Sequence, residues 1–185
     1  MQEKTLHRRE YLAHLSVRKL DNFLERAAPY IGFIMIEFNS LEAIIDFCIK
    51  EIVSQSEFGD DKVFVFLAEM SYSSKVTCLM NLYGQINKGS NLGLKDKLME
   101  LEKQLREVAR RRNQYAHGHW SDTVEGHFMP VKVTAKRDGV YHVYRKFSTK
   151  EMKADLRLIQ KAQVVLDRFD QTFNNKFHRR VIRNR

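Results

Sequence analysis

The stretch Ile31–Ile52, IGFIMIEFNSLEAIIDFCIKEI, decides the fold class. Its residues Ile31, Ile34, Phe38, Leu41, Ile45, Cys48 and Ile52 recur at alternating spacings of three and four, the signature of one helical stripe. Phe33, Ile36, Ile44, Phe47 and Ile49 add apolar side chains away from that stripe. A helix apolar on most of its sides belongs in the middle of a bundle or between two subunits, which predicts a central helix over roughly 30–54.

Working outward, Gly59-Asp60-Asp61 offers a break and an N-cap. Val63, Phe66, Leu67, Met70, Leu79, Met80, Tyr83 and Ile86 then predict a second long helix that ends at Asn87-Lys88-Gly89-Ser90. From Leu94 the positions Leu94, Leu98, Leu101, Leu105 and Val108 carry a third stripe on to Arg112 and Tyr115, with Gly118 as the stop. Ahead of the central helix, Leu6, Leu12, Leu15, Leu20, Phe23 and Leu24 in a polar background predict a helix over about 3–26. Between Phe128 and Lys146 the texture changes: Val131 and Val133, then Asp138-Gly139, then Val140, Tyr141, Val143 and Tyr144 predict a β-hairpin. Ser148 and Glu151 stand in capping-box spacing, with Phe147 and Met152 as a hydrophobic staple, and open a final helix. Its apolar face is Met152, Leu156, Ile159, Leu166, Phe169, Phe173 and Phe177. The expected fold is all-α, an up-and-down bundle of about five helices in a single domain over 1–185, with a hairpin inserted at 128–146 and a basic tail at 178–185.

Composition agrees. In 185 residues there are two prolines and eight glycines, and 43% are hydrophobic, which leaves little turn material for an all-β fold and enough apolar mass for a core. Thirty-two Lys and Arg against 23 Asp and Glu give +9, a charge that attracts nucleic acid or an acidic protein. Cys48 and Cys78 are too few and too far apart for a metal cluster or a disulfide framework and read as core packing in a reduced compartment. The longest apolar run, Ala27 to Ile36, is well short of a membrane span. The expectation is a soluble, cytoplasmic protein that needs no cofactor and does not engage a membrane.

The third helix ends in chemistry. Arg112-Asn113-Gln114-Tyr115-Ala116-His117 begins where the stripe calls for another leucine, so a charge takes a seam position. A guanidinium there must be paired, reach outward or face a cleft. Arginine suits a phosphate and the added charge of a pentacovalent transition state, and histidine can move a proton near neutrality. Together they suffice for RNA cleavage without a metal. At about 100° per residue Asn113 and His117, four apart, share a face, so Asn113 can orient the imidazole. Spacing alone is loose, since Arg9 with His14 and Arg137 with His142 satisfy it as well.

The run Arg112-Asn113-Gln114-Tyr115-Ala116-His117-Gly118 at the end of a long helix resembles the signature of the HEPN superfamily. That signature is Arg, a polar residue often Asn, a short variable stretch, then His. The resemblance implies a helical bundle in which the motif helix precedes the last long helix. It further implies a homodimer whose two motif helices form one composite site, and metal-independent endoribonuclease activity in toxin–antitoxin, antiphage or RNA-processing systems. Residue by residue, it makes Arg112 the phosphate ligand, His117 the general acid or base and Asn113 the supporting polar group. It implies RNA, such as tRNA or mRNA, as substrate, and an antitoxin or regulatory protein as a further partner. The chain departs from some members of the superfamily in having His119 where they carry a tyrosine, and in the hairpin. Other members are inactive RNA- or protein-binding modules, which is the alternative function.

Around the motif, Arg106, Arg110 and Arg111 are candidates to track an RNA backbone, or form a solvated basic face. His119 and Trp120 can stack on a base, or Trp120 can pack under the hairpin. The tail Lys176, His178, Arg179, Arg180, Arg183 and Arg185 is a candidate RNA-binding arm or a plain basic terminus. Glu37, in the centre of the apolar helix beside Asn39 and Ser40, is a candidate partner for a motif arginine or for a structural pair.

Overall fold

The computed structural model describes residues 3–7, 20–54, 62–117, 119–122, 128–145 and 148–183. Of 3–7, 20–22, 119–122, 128–134, 142–145 and 179–183 only the backbone is described. The elements in chain order are strand β1 (Glu3–His7), helices α1 (Leu20–Val53), α2 (Lys62–Ala68), α3 (Tyr72–Ser90) and α4 (Lys95–Ala116), strands β2 (His119–Asp122), β3 (Phe128–Lys136) and β4 (Gly139–Arg145), and helix α5 (Thr149–Arg183). The protein is mostly helical, with a β-hairpin ahead of the last helix. Two compact units are built, Met1–Ile36 with Arg110–Arg157, and Glu37–Ala109 with Leu158–Arg185. Helices α1, α4 and α5 each contribute residues to both.

In the first unit the hairpin is part of a four-stranded antiparallel sheet of order β1-β4-β3-β2. Strands β3 and β4 pair from Val131 opposite Tyr144 to Lys136 opposite Gly139, so the two loop residues are Arg137 and Asp138. Gly139 at φ 148° follows the loop, and the Tyr141 hydroxyl donates to Asp138 Oδ2 at 2.6 Å. Pro130, which cannot donate to a ladder, stands opposite Trp120 of β2 and beyond the last β3–β4 pair.

The sheet corrects the start of the helix expected over 3–26. Glu3–His7 is β1, paired with Arg145 to Tyr141 of β4; the part from Leu20 onward is helical, as the start of α1, and 8–19 lie outside the described residues. Without β1 the outer side of β4 would present a row of unpaired backbone groups. Pairing with it outweighs the weak helical pattern of a short polar segment. Phe23, Ala27, Ile34 and Met152 are buried in this unit.

The second unit is a helical core. Phe38, Leu41, Ile45, Cys48 and Ile49 of α1 are buried, as are Val76, Leu79, Met80 and Tyr83 of α3, Leu101, Leu105 and Val108 of α4, and Ile159, Ala162, Leu166, Phe169 and Phe173 of α5. The expected second helix is two, broken at Glu69-Met70-Ser71. Ser71 is an N-cap with φ −66° and ψ 153°, its hydroxyl accepting from the Ser74 backbone N–H at 3.2 Å. A serine that satisfies an orphan N–H of the next helix favours a fresh start there. The residues proposed as the N-cap of this region, Gly59 to Asp61, lie outside the described residues. Helix α3 runs on to Ser90, and Asn91 in the left-handed region (φ 46°) ends it.

The capping box of α5 is present. Glu151 Oε2 accepts from the Ser148 backbone N–H at 2.9 Å, and Ser148 Oγ accepts from the Glu151 N–H at 3.2 Å. Phe147, the proposed staple, lies outside the described residues. Helix α5 continues through the basic segment to Arg183, so the residues expected as a tail are helical that far.

Two buried polar features carry consequences for stability. Lys75, 5% exposed, is bonded to Asp46 Oδ2 at 2.8 Å and Glu42 Oε1 at 2.9 Å. Burial alone would lower its pKa, but the two carboxylates more than offset this and raise it. Cys48 is pushed up to about 12, mainly by burial and then by the charge of Asp170. Lys75→Ala leaves both carboxylates without their cation, and the expected loss in urea unfolding is about 2–3 kcal/mol, below that of a fully buried pair because Glu42 and Asp46 retain some contact with water. Cys48, protonated and enclosed at pH 8, is expected to resist iodoacetamide in the folded protein and to react in urea, as read by mass spectrometry.

Candidate functional site

The motif occupies the last turn of α4 and the step beyond it, within the first unit. Arg112 is half-buried, and its Nη1 donates to Asn113 Oδ1 at 3.2 Å. Asn113 and His117 are exposed. The backbone N–H of His117 donates to the Asn113 carbonyl at 3.1 Å, the last bond of the helical ladder, although His117 itself lies past the end of α4. Arg112, Asn113 and His117 are therefore local neighbours. The tie between Asn113 and His117 is made by backbone; the Asn113 amide oxygen takes the Arg112 guanidinium, a role that spacing alone had not suggested.

Next to the motif is a cluster that sequence reasoning missed. Asp155 of α5, 3% exposed, accepts from Arg111 Nη1 at 2.8 Å on one oxygen and from the Tyr115 hydroxyl at 2.6 Å on the other. Arg111 and Tyr115 are four apart and share a face, so one carboxylate receives both. The signal was present in the sequence: Asp155 falls three after Met152 and four before Ile159, on the apolar stripe of α5. An acid at such a position needs a partner on the facing helix.

The other candidates divide. Arg111 was read as a backbone-tracking cation, and its guanidinium is held by Asp155. Arg106, in the second unit, pairs with Glu102 at 2.7 Å and donates to Thr77 Oγ1 at 3.2 Å. Arg110 is exposed. His119 and Trp120 form the start of β2, opposite Val131 and Pro130, and their side chains lie outside the described residues. Glu37 accepts from Gln160 Nε2 at 3.0 Å and Gln163 Nε2 at 2.9 Å, a structural pairing with α5. Lys176 donates to the Leu92 carbonyl at 2.9 Å, and His178 is exposed. Of the two other Arg/His pairs, Arg9 and His14 lie outside the described residues, while Arg137 is in the β3–β4 turn and His142 in β4.

Among the described residues no group of three or more His, Cys, Asp or Glu is placed to hold a metal ion. No described helix is long and apolar enough to cross a membrane. In comparison with known proteins, no family model matches the chain, and neither a curated protein nor a solved structure matches it significantly.

The division between buried and exposed groups gives a direct test. Asp155→Ala removes the buried carboxylate that Arg111 and Tyr115 share and is expected to lower stability by about 2–4 kcal/mol in urea unfolding. His117→Ala, at an exposed position beyond the helix, is expected to stay within about 0.5 kcal/mol of the parent protein.

Proposed function

We propose that the protein is a metal-independent endoribonuclease that works as a homodimer, with Arg112 and His117 of both copies forming the site. The observation that carries the reading is that both residues fall at one helix end, a half-buried arginine bonded to Asn113 and, five residues on, an exposed histidine. The Arg112 guanidinium, bonded to Asn113, serves a scissile phosphate and the charge that grows on it in the transition state. The imidazole of His117 removes a proton from the ribose 2′-hydroxyl or returns one to the leaving 5′-oxygen. Attack by the neighbouring hydroxyl leaves a 2′,3′-cyclic phosphate. The resemblance of Arg112–Gly118 to the HEPN signature supports the same reading, and with it a role in toxin–antitoxin, antiphage or RNA-processing systems and an antitoxin or regulator as partner.

A second reading, a non-catalytic module that binds RNA or protein, is favoured by one detail. The Asn113 amide oxygen serves Arg112, and the described contact from Asn113 to His117 is through backbone. The two readings separate on one experiment. Purified protein incubated with total cellular RNA in EDTA should yield discrete fragments ending in cyclic phosphate. Arg112→Ala and His117→Ala should each lower the rate by about 100-fold or more, as the loss of a positioned acid–base or charge-stabilising group does. Steep salt-dependent binding without product establishes the second reading, and cleavage by either variant at the parent rate removes the residue from the site.

A further inference from the structure

A cavity of about 510 Å³ opens in the second unit, away from the motif in sequence and built from the C-terminal turns of α1, Ile86 of α3 and the stretch of α5 from Asp170 to His178. Its volume falls within the usual range of small-molecule sites, about 300–1,000 Å³. Phe47, Phe173 and Phe177 give it aromatic walls, with Phe173 and Phe177 stacked at 6.3 Å. Two carboxylates, Glu51 and Asp170, line it as well.

The polar liners are Glu51 and Asp170 with Ser54, Asn174, Lys50 and His178. Asp170 takes one hydrogen bond on each oxygen, from the Tyr83 hydroxyl at 2.6 Å and from Asn174 Nδ2 at 3.0 Å, which leaves further lone pairs on both. Glu51 is exposed at the end of α1. Ser54 Oγ is enclosed and has no hydrogen-bond partner among the described residues. Of the cationic liners, Lys50 places its ammonium 4.6 Å over the Phe64 ring, and His178 is exposed. In a protein of net charge +9, the lining of this cavity carries two carboxylates, Glu51 and Asp170.

We propose that this cavity binds a small organic cation, an ammonium group carried on an apolar body. The carboxylates of Glu51 and Asp170 receive the ammonium, the phenyl faces add cation–π attraction, and the apolar body displaces water from Phe173, Phe177 and Ile86. An anionic ligand would meet carboxylates, and a neutral one would leave them without a counter-charge. The site is independent of the ribonuclease reading.

The test is an NMR titration of the full-length protein with n-hexylammonium chloride, n-hexanol and sodium hexanoate, followed through backbone amides. Hexylammonium should give saturable shifts at Phe47, Ser54, Phe173 and Phe177, with hexanol about tenfold weaker and hexanoate without saturable effect. Glu51→Gln, an exposed change at a helix end, should weaken hexylammonium binding about fivefold, and Asp170→Asn about tenfold, while the shifts of Leu41 and Leu101 report an intact core. The proposal is overturned if hexylammonium causes no saturable shifts at this cavity, if hexanoate binds as well, or if the folded Glu51→Gln variant binds like the parent.

Discussion

The carboxylate of Asp155 sets the rotational phase of the helix end on which the candidate site stands. Enclosed to 3% exposure, it is stable only when its charge is paired, and α4 supplies both partners, Arg111 and Tyr115. Once those two point inward, the rest of the turn has no freedom. At about 100° per residue, Asn113 falls about 180° from the direction midway between Arg111 and Tyr115, Arg112 about 80° from it and His117 about 140°. The observed order is the same, with Asn113 and His117 exposed and Arg112 half-buried. Arg112, Asn113 and His117 are thus presented by a pair of contacts made by Arg111 and Tyr115. A motif read only as Arg, spacer and His leaves out the group that aims it.

The second unit repeats the device with different chemistry. Lys75 lies among the buried residues of α3 and meets Asp46 and Glu42 of α1. Tyr83, fully buried between the rings of Phe169 and Phe173, gives its hydroxyl proton to Asp170 at 2.6 Å. Each polar group on an apolar stripe has a short bond to one neighbouring helix. Apolar packing tolerates a helix that rotates or slides by part of a turn, whereas a buried hydrogen bond of this length does not. These contacts give register to a core that leucine and isoleucine alone would fill in several ways.

Periodic stripes were legible because they repeat over many turns. The central helix, the motif helix and the capped start of α5 all follow from the spacing of residues such as Ile34 to Ile45, Leu101 to Val108 and the Ser148–Glu151 pair. Two kinds of information were not local. Strand β1 exists because β4 offers an edge to it, and nothing within Glu3–His7 records that edge. The break at Ser71 was hidden because apolar residues continue on both sides of a three-residue interruption, although Ser71 itself was a readable N-cap. For the candidate site, the residue types and their order were readable, and the partners of Arg111, Arg112 and Glu37 were not. Pairing depends on which helix faces which. Asp155 was the exception, since an acid on an apolar stripe announces a partner without saying which one.

A net charge of +9 suggests a large phosphate-binding surface, but several of the described cations are held by partners. Arg106 is bonded to Glu102, Arg111 to Asp155, Lys75 to two acids and Lys176 to a backbone carbonyl, while Lys50, Lys136 and Lys153 lie over aromatic rings. A phosphate that recruits Arg111 has to displace a buried partner, at a cost that an exposed arginine does not face. The basic segment from Lys176 to Arg183 has a structural use of its own, because it forms the last turns of a 35-residue helix. Cations there oppose the partial negative charge of the helix C-terminus. Composition therefore gives the net charge but not which cations are held by partners, and at the motif a polyanion has to compete with Asp155 for Arg111.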